Sequence, residues 1–402
     1  MEAHTFLIHL VLILFLARVV GEIAAYFKAP SVIGELVAGI LIGPSVFGLI
    51  EISPPIHLLA QIGIILLLFE VGIETNIGRL TSSGVKAFGV AIGGVVLPFI
   101  FGFCISYFIF SFSLLASLFI GSTLTATSIG ITLRVLRDLK KQKSHEAQII
   151  IGAAVLDDII GIILLAMLYD FSQSGNVDLW NAGKVLVFII LFFLISPIAA
   201  KCVSLTIKKW DEKSDIPGLL PTTIVSLILL FAWIAHQLGA PELLGGFAAG
   251  LAISRQFFFP FAPFLSETPE FTHRVEEKMK PIVHLFTPIF FVSIGLSLNL
   301  KAIEWSSLSI WMITGSLFIS AIIGKLASGF LLKKETFSTK LIIGTAMIPR
   351  GEVGLIFANI GLTAGVFKDD IYASIILVIT FTTLLAPFAL RYIYSFNEAK
   401  KS

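Results

Sequence analysis

The sequence predicts an all-α polytopic membrane protein with thirteen transmembrane helices, among them two inverted three-span repeats, each holding a broken crossing helix. Three observations carry that prediction. Composition is the first: of 402 residues, 56% are hydrophobic and 13% charged, with a mean hydropathy of +0.97, whereas a soluble domain carries about 25% charge. The 33 glycines and 36 phenylalanines suit closely packed, lipid-facing helices. The second is the recurrence, along the whole chain, of apolar runs of about 18 residues or more, long enough to cross the bilayer core. The third is a pair of interrupted apolar stretches, described below. The net charge of +2 says little, because in a membrane protein the placement of charges matters more than their sum.

Taken in order, the runs fall at approximately 5–27, 32–50, 56–73, 86–111, 113–136, 146–170, 180–206, 218–238, 241–256, 279–299, 306–332, 340–364 and 370–394. The first lacks a basic leader and an A-x-A site, so it reads as a retained helix and not a cleaved signal. Within it Arg18 and Glu22 stand four residues apart and can satisfy each other locally. The run at 241–256 is the shortest. The Pro- and Phe-rich stretch 257–280 is the longest interruption and reads as a segment at the membrane surface. No hydrophilic segment is long enough for an extramembrane domain. Cys104 and Cys202 lie in separate apolar runs and read as buried packing residues, with neither a disulfide nor a metal site implied.

Lysines and arginines in the short loops set the orientation. Of the 28 basic residues, 22 alternate onto one side, including Arg79, Lys86, Arg134, Arg137, Lys201 and Lys340, while only Lys184, Lys301 and Lys368 fall on the other. That split predicts an outside amino terminus and a cytoplasmic carboxyl terminus. The remaining three, Arg18, Lys325 and Arg350, sit inside spans.

The chemistry gathers at Val155-Leu156-Asp157-Asp158-Ile159-Ile160, where two carboxylates interrupt an aliphatic run. Ionised groups at that depth are costly and need partners. Successive helix positions diverge by about 100°, so one carboxylate can face an ion pathway while the other faces a fixed partner. Lys325 is a candidate partner. Desolvation lowers a lysine pKa and raises an aspartate pKa, so such a pair either exchanges protons or stands as a permanent structural ion pair. Two stretches read as broken helices. Thr123-Leu124-Thr125-Ala126-Thr127-Ser128-Ile129-Gly130 is dense in hydroxyls that can replace lost backbone bonds, or that merely serve helix packing. Thr345–Gly354 places Pro349, Arg350, Gly351 and Glu352 in mid-span. Arg350 and Glu352 are expected to neutralise each other and the exposed half-helix ends. Each stretch belongs to a three-span group, 86–170 or 306–394. Four full spans separate the groups, which therefore run in opposite senses, as in transporters with ion sites at the midplane.

Val32-Ile33-Gly34-Glu35, Gly39, Gly43-Pro44, Leu68-Phe69, Gly72-Ile73-Glu74, Thr125-Ala126-Thr127-Ser128, Gly130-Ile131-Thr132, Gly152–Asp158, Pro288–Phe291, Gly295, Gly324-Lys325, Pro349–Ile356, Phe381–Leu384 and Ala386-Pro387 together resemble the monovalent cation/proton antiporters, specifically the NapA-like Na+/H+ antiporters. The resemblance covers essentially the whole chain. It implies the Na+/H+ antiporter fold and a homodimer in membrane lipid. Residues 1–85 and 180–299 would form the dimerisation and scaffold part, with some of these spans completing the core. Residues 86–170 and 306–394 would form the ion-carrying core, and 395–402 a short cytoplasmic tail. Asp158 would be the principal cation and proton carrier, Asp157 would pair with Lys325 when no cation is bound, and Thr127 would border the ion. Asp158 and Asp157 would be the transient metal ligands, with Thr125, Ala126, Ser128, Pro349, Arg350 and Glu352 supporting the breaks. Glu70 departs from the family pattern, which has an apolar residue there, and reads either as mouth electrostatics or as structurally indifferent.

The expected function is exchange of intracellular Na+ or Li+ for external H+ across the cell (inner) membrane. Cation and proton need the same carboxylate oxygens and cannot bind together. Release of a proton from Lys325 as well would exchange two protons for one cation and make transport electrogenic. K+/H+ exchange is the alternative; against it, efflux relatives often carry a cytoplasmic nucleotide-binding domain, and this chain stops about eight residues after its last span. A sodium-coupled symporter of an organic solute would not need a buried lysine opposite paired aspartates. The chain calls for no cofactor and no nucleic acid, and lacks H-E-x-x-H, P-loop and G-x-S-x-G motifs, so an enzyme is not expected.

Overall fold

In hydrocarbon a backbone amide has no water to bond, so an apolar segment satisfies its own N–H and C=O groups as a helix. The computed structural model describes residues 3–27, 29–74, 83–174, 179–211, 216–238, 240–254, 269–298 and 300–399, and within them most of each apolar run is helical, with no strand. We number the helices α1 (Ala3–Tyr26), α2 (Ser31–Ile42), α3 (Pro54–Glu74), α4 (Gly84–Cys104, running into a π-helical turn at Ile105–Ile109), α5 (Leu114–Thr123), α6 (Ile129–Asp138), α7 (His145–Ser174), α8 (Leu179–Asp211), α9 (Leu219–Gln237), α10 (Glu242–Ile253), α11 (Pro269–Ser297), α12 (Leu308–Phe330), α13 (Phe337–Ala346), α14 (Glu352–Thr363) and α15 (Asp369–Ala399).

Among the described residues, eight helices are long and apolar enough to cross a membrane, and four shorter apolar helices accompany them at Ser31–Ile42, Leu114–Thr123, Glu242–Ile253 and Val353–Leu362. Helices lie within the thirteen expected runs, while the eight long spans do not by themselves give a count of thirteen. The run at 32–50 contracts to the twelve residues of α2, because Gly43-Pro44 ends the helix and Gly48 turns at φ +64°. Of the stretch 257–280, expected at the membrane surface, residues 269–280 open the long helix α11, and the rest lie outside the described residues. Lys201, placed in a loop by the charge count, is fully buried inside α8. Cys104 is half-buried and Cys202 exposed, so the expectation of two buried cysteines fails at Cys202.

The chain divides into two compact units. One comprises Met1–Ile52, Ser83–Ala182 and Phe291–Ser402, the other Ser53–Ser82 and Gly183–Phe290. In both, glycine lets backbones touch, which matters where lipid removes the usual hydrophobic drive for helix association. In the second unit a Cβ at Gly250 of α10 would stand 2.2 Å from the Phe69 carbonyl of α3. In the first unit a Cβ at Gly324 of α12 would stand 2.8 Å from Pro98 of α4, and one at Gly329 would stand 2.2 Å from the Lys340 carbonyl of α13. Within that unit a long–broken–long order occurs twice, as α4, α5/α6, α7 and as α12, α13/α14, α15. Phe119, Ile120, Ile313, Leu317, Phe357 and Ile375 form a buried apolar cluster that joins the two groups.

Candidate ion site at the meeting of two helix breaks

Each broken helix leaves carbonyls at the end of its first half and amides at the start of its second with no intrahelical partner. Side chains at the crossing account for these groups. Residues 124–128 separate α5 from α6, and 347–351 separate α13 from α14. Across the crossing, the Ser128 N–H donates to the Pro349 carbonyl at 2.8 Å, the Thr132 hydroxyl to the Ala346 carbonyl at 2.6 Å, and the Thr127 hydroxyl to the Met347 carbonyl at 3.2 Å. Arg350 Nη1 donates to the Ala126 carbonyl at 3.0 Å, and the Thr383 hydroxyl of α15 donates to the Arg350 carbonyl. Thr125 turns back to the Ser122 carbonyl at 2.8 Å. The threonine-rich stretch therefore stands in for lost helical bonds. Gly351 is required here: a Cβ on it would stand 2.7 Å from Ser128 Oγ and 2.8 Å from Ser128 Cβ.

The paired carboxylates stand beside this crossing on α7. Asp157 Oδ2 accepts the Thr127 backbone N–H at 2.8 Å, and Oδ1 lies 3.3 Å from Lys325 Nζ of α12. The Asp157 and Lys325 side chains are 1% and 0% exposed, so this is an ion pair removed from solvent. Gly94 of α4 packs beside the ammonium, where a Cβ would stand 3.4 Å from Nζ. Asp158 is also buried, at 5% exposure, and follows Asp157 on the same helix. The helical advance of about 100° turns it away from the direction in which Asp157 meets Lys325. Arg350 is fully buried, with its guanidinium on a carbonyl just past the end of α5, where the helix dipole favours positive charge.

Of the residues singled out in the sequence, Thr125, Ala126, Thr127, Ser128, Pro349, Arg350, Asp157 and Lys325 are thus tied to one another or to the breaks. The Glu352 side chain, expected against Arg350, lies outside the described residues. Glu70 is half-buried on α3, in the other compact unit. In the sequence Thr132 and Thr383 appear only as members of the family motifs, with no role of their own, although a hydroxyl in mid-span was a usable signal for each. Sequence reasoning also counted Arg134 as a loop charge, whereas Arg134 is buried on α6 against Glu35 of α2 at 3.1 Å. Outside the spans, Glu335 in the turn between α12 and α13 accepts from Lys86 Nζ at 2.7 Å and meets His145 Nε2 at 3.0 Å. Those two hydrogen bonds hold its carboxyl below the usual carboxylate range.

Comparison with known proteins places the chain in a family. Residues 11–395 match the family model for the transmembrane domain of sodium/hydrogen exchangers. The chain is 34% identical to the Na+/H+-K+ antiporter GerN of Bacillus cereus, over 98% of this chain and 97% of that protein. It is 33% identical to the high-affinity Na+/H+ antiporter NhaS3 of Synechocystis sp., over 98% and 90%. In architecture it is similar to the sodium proton antiporter MjNhaP1 of Methanocaldococcus jannaschii, with a TM-score of 0.74 at 18% identity, covering 100% of this chain and 98% of that one. With the composition, the broken-helix crossing and these matches together, the chain belongs to the sodium/hydrogen exchanger family of membrane antiporters.

Proposed function

We propose that this protein is a secondary active transporter that exchanges Na+ or Li+ for H+ by alternating access, with Asp158 as the shared cation and proton site. One observation carries the reading: Asp157 already has a fixed ammonium and a fixed amide, and a second buried carboxylate follows it on α7 beside the crossing of two helix breaks. A hard monovalent cation prefers carboxylate and carbonyl oxygens. A proton needs the same carboxylate, so each ion excludes the other and apparent cation affinity falls as the medium becomes acidic.

Lys325 gives the exchange its stoichiometry. When Asp157 turns to help hold the cation, the ammonium loses its counter-charge in a dry site and releases a proton. Together with the proton displaced from Asp158, two protons then move against one cation. The same reading assigns residues 86–170 and 306–394 to the ion-carrying core, and 1–85 with 180–299 to the scaffold of a homodimer in lipid. The amino terminus faces outward and the carboxyl terminus the cytoplasm, in a cell (inner) membrane.

The test is dequenching of a pH-sensitive dye by added Na+, Li+ or K+ in proteoliposomes of the purified protein. The expected result is a response to Na+ and Li+ that Asp158→Asn abolishes. Full exchange in Asp158→Asn overturns the site. K+/H+ exchange is the second reading, favoured by the K+ in the name of the Bacillus relative, and a response to K+ at equal concentration selects it.

A further inference from the structure

The half-helix α6 offers an amide to Asp157 just before its first residue, and at its last turn it holds a second polar cluster that the exchange chemistry does not use. Arg134 Nη2 lies 3.1 Å from Glu35 Oε1 and donates to Ser31 Oγ at 3.1 Å. Its Nε makes an ion contact with Asp138 Oδ1 at 3.3 Å, one turn on. Asp138 Oδ2 accepts in turn from the Ser31 hydroxyl at 2.8 Å and from the Ser31 backbone N–H at 3.2 Å. Glu35 and Arg134 are 1% and 8% exposed. Arg134, Ser31 and Asp138 therefore close a ring of three side chains, with Glu35 paired to Arg134 beside it, and the cluster joins the end of α6 to the start of α2.

Two features show what the cluster serves. Ser31 opens α2 after Pro30, with no side-chain cap of its own, so Asp138 caps α2 from another helix. A carboxylate at the end of α6 opposes that helix's dipole, so α6 itself gives no reason for it. Meanwhile α2 is wedged on two sides: a Cβ on Gly34 would meet the Val20 carbonyl of α1 at 2.3 Å, and one on Gly39 would meet the Val292 carbonyl of α11 at 2.1 Å. No side chain separates these backbones, so α2 is held closely by α1 and α11, and the clamp ties the last turn of α6 to it while Ser128 and Thr132 hold the first turn at the crossing.

We propose that Arg134 is a positioning residue for the cation site: by clamping α6 to α2 through Glu35 and Ser31, it sets the height and tilt of α6 and thereby the placing of the Thr127 amide on Asp157. The inference rests on the ion-exchange reading above. Arg134 stands on α6, which starts at Ile129, and only the extended residue Ser128 lies between that helix and Thr127, so a displacement of α6 reaches the Thr127 amide across one non-helical residue. A loosened clamp lets the amide withdraw from Asp157, and the cation meets a less well-formed set of oxygens. A site that binds poorly but still carries its ion once filled shows this in KM, with the maximal rate little changed.

The experiment compares the parent, Glu35→Gln/Arg134→Gln and Arg134→Lys in Na+ titrations of dye dequenching in proteoliposomes. The double variant removes both buried charges at once, so no lone ion is left to unfold the protein. Lysine keeps the charge and loses the fork by which Nη2 meets Glu35 and Ser31 while Nε meets Asp138. The expected result is a KM for Na+ raised by at least about fivefold in the double variant, with a maximal rate within about twofold of the parent, and an intermediate KM in Arg134→Lys. A folded double variant with the parent's KM, or with a lower maximal rate and an unmoved KM, overturns the proposal. If the double variant does not fold, Arg134→Lys decides by the same criterion. A parent that fails to exchange Na+ in this assay defeats the functional reading itself, an outcome distinct from any pattern among the variants.

Discussion

Asp157 and Asp158 are neighbours in the chain with different surroundings, and the difference follows from helix geometry. Asp157 is held between the Lys325 ammonium and the Thr127 amide, while Asp158 lies on another face of α7. Both members of the Asp157–Lys325 pair are out of solvent, so removing one leaves the other charge buried and uncompensated. Lys325→Ala is accordingly expected to lower stability by about 3–5 kcal/mol, and Asp157→Asn/Lys325→Gln to recover most of that loss. Thermal unfolding in detergent measures both. At the surface, Glu335 behaves differently. Its carboxyl is held down by hydrogen bonds from Lys86 and His145, so its folded pKa lies below its unfolded one. The stability it contributes is present above the ordinary carboxylate range and disappears as pH falls through that range to the depressed value. Melting temperatures of the parent and Glu335→Gln are therefore expected to differ at neutral pH and to converge in acid.

At the level of elements, the breaks are held by one another. Four of the groups that α5, α6, α13 and α14 leave over find partners across the crossing: the carbonyls of Pro349, Ala346 and Met347 take Ser128, Thr132 and Thr127, and the Ala126 carbonyl takes Arg350. Such a crossing tolerates almost no added volume. Gly351→Ala would drive a methyl into Ser128 at under 3 Å from both Oγ and Cβ, and the Cβ cannot rotate away. The expected cost is about 1–3 kcal/mol of stability, as for other overpacked cores, together with a loss of exchange larger than the loss of folded protein. Unfolding temperature and dye dequenching on the same preparation separate the two effects. The second break was readable in the sequence from Pro-Arg-Gly-Glu in mid-span, and the first as one of two readings, since mid-span hydroxyls also serve helix packing. Their partners were not readable, since Thr132 and Ala346 are more than two hundred residues apart and only the crossing makes them neighbours.

For the whole molecule, two protons against one cation moves net charge, worth about 2.3 kcal/mol per 100 mV. Reconstituted protein on a solid-supported membrane is expected to give a transient current on addition of Na+, with Lys325→Ala reducing the charge moved per cycle. Electroneutral exchange rejects the two-proton scheme. Composition and run length determined an all-helical membrane protein, the family motifs made it resemble an antiporter, and the cost of ionised groups in an apolar run singled out Asp157, Asp158 and Lys325 as needing partners. Arg134 shows where that reasoning stops. In the chain it is one of several basic residues beside a loop, indistinguishable by composition from Arg137. Only the packing of α2 against α1 and α11, which buries Glu35 facing the end of α6, turns it into half of an ion pair. Local sequence can announce that a charge is costly, since desolvation depends on the run that surrounds it. Which distant group relieves that cost depends on helix–helix contacts between remote segments, and tertiary structure alone decides them.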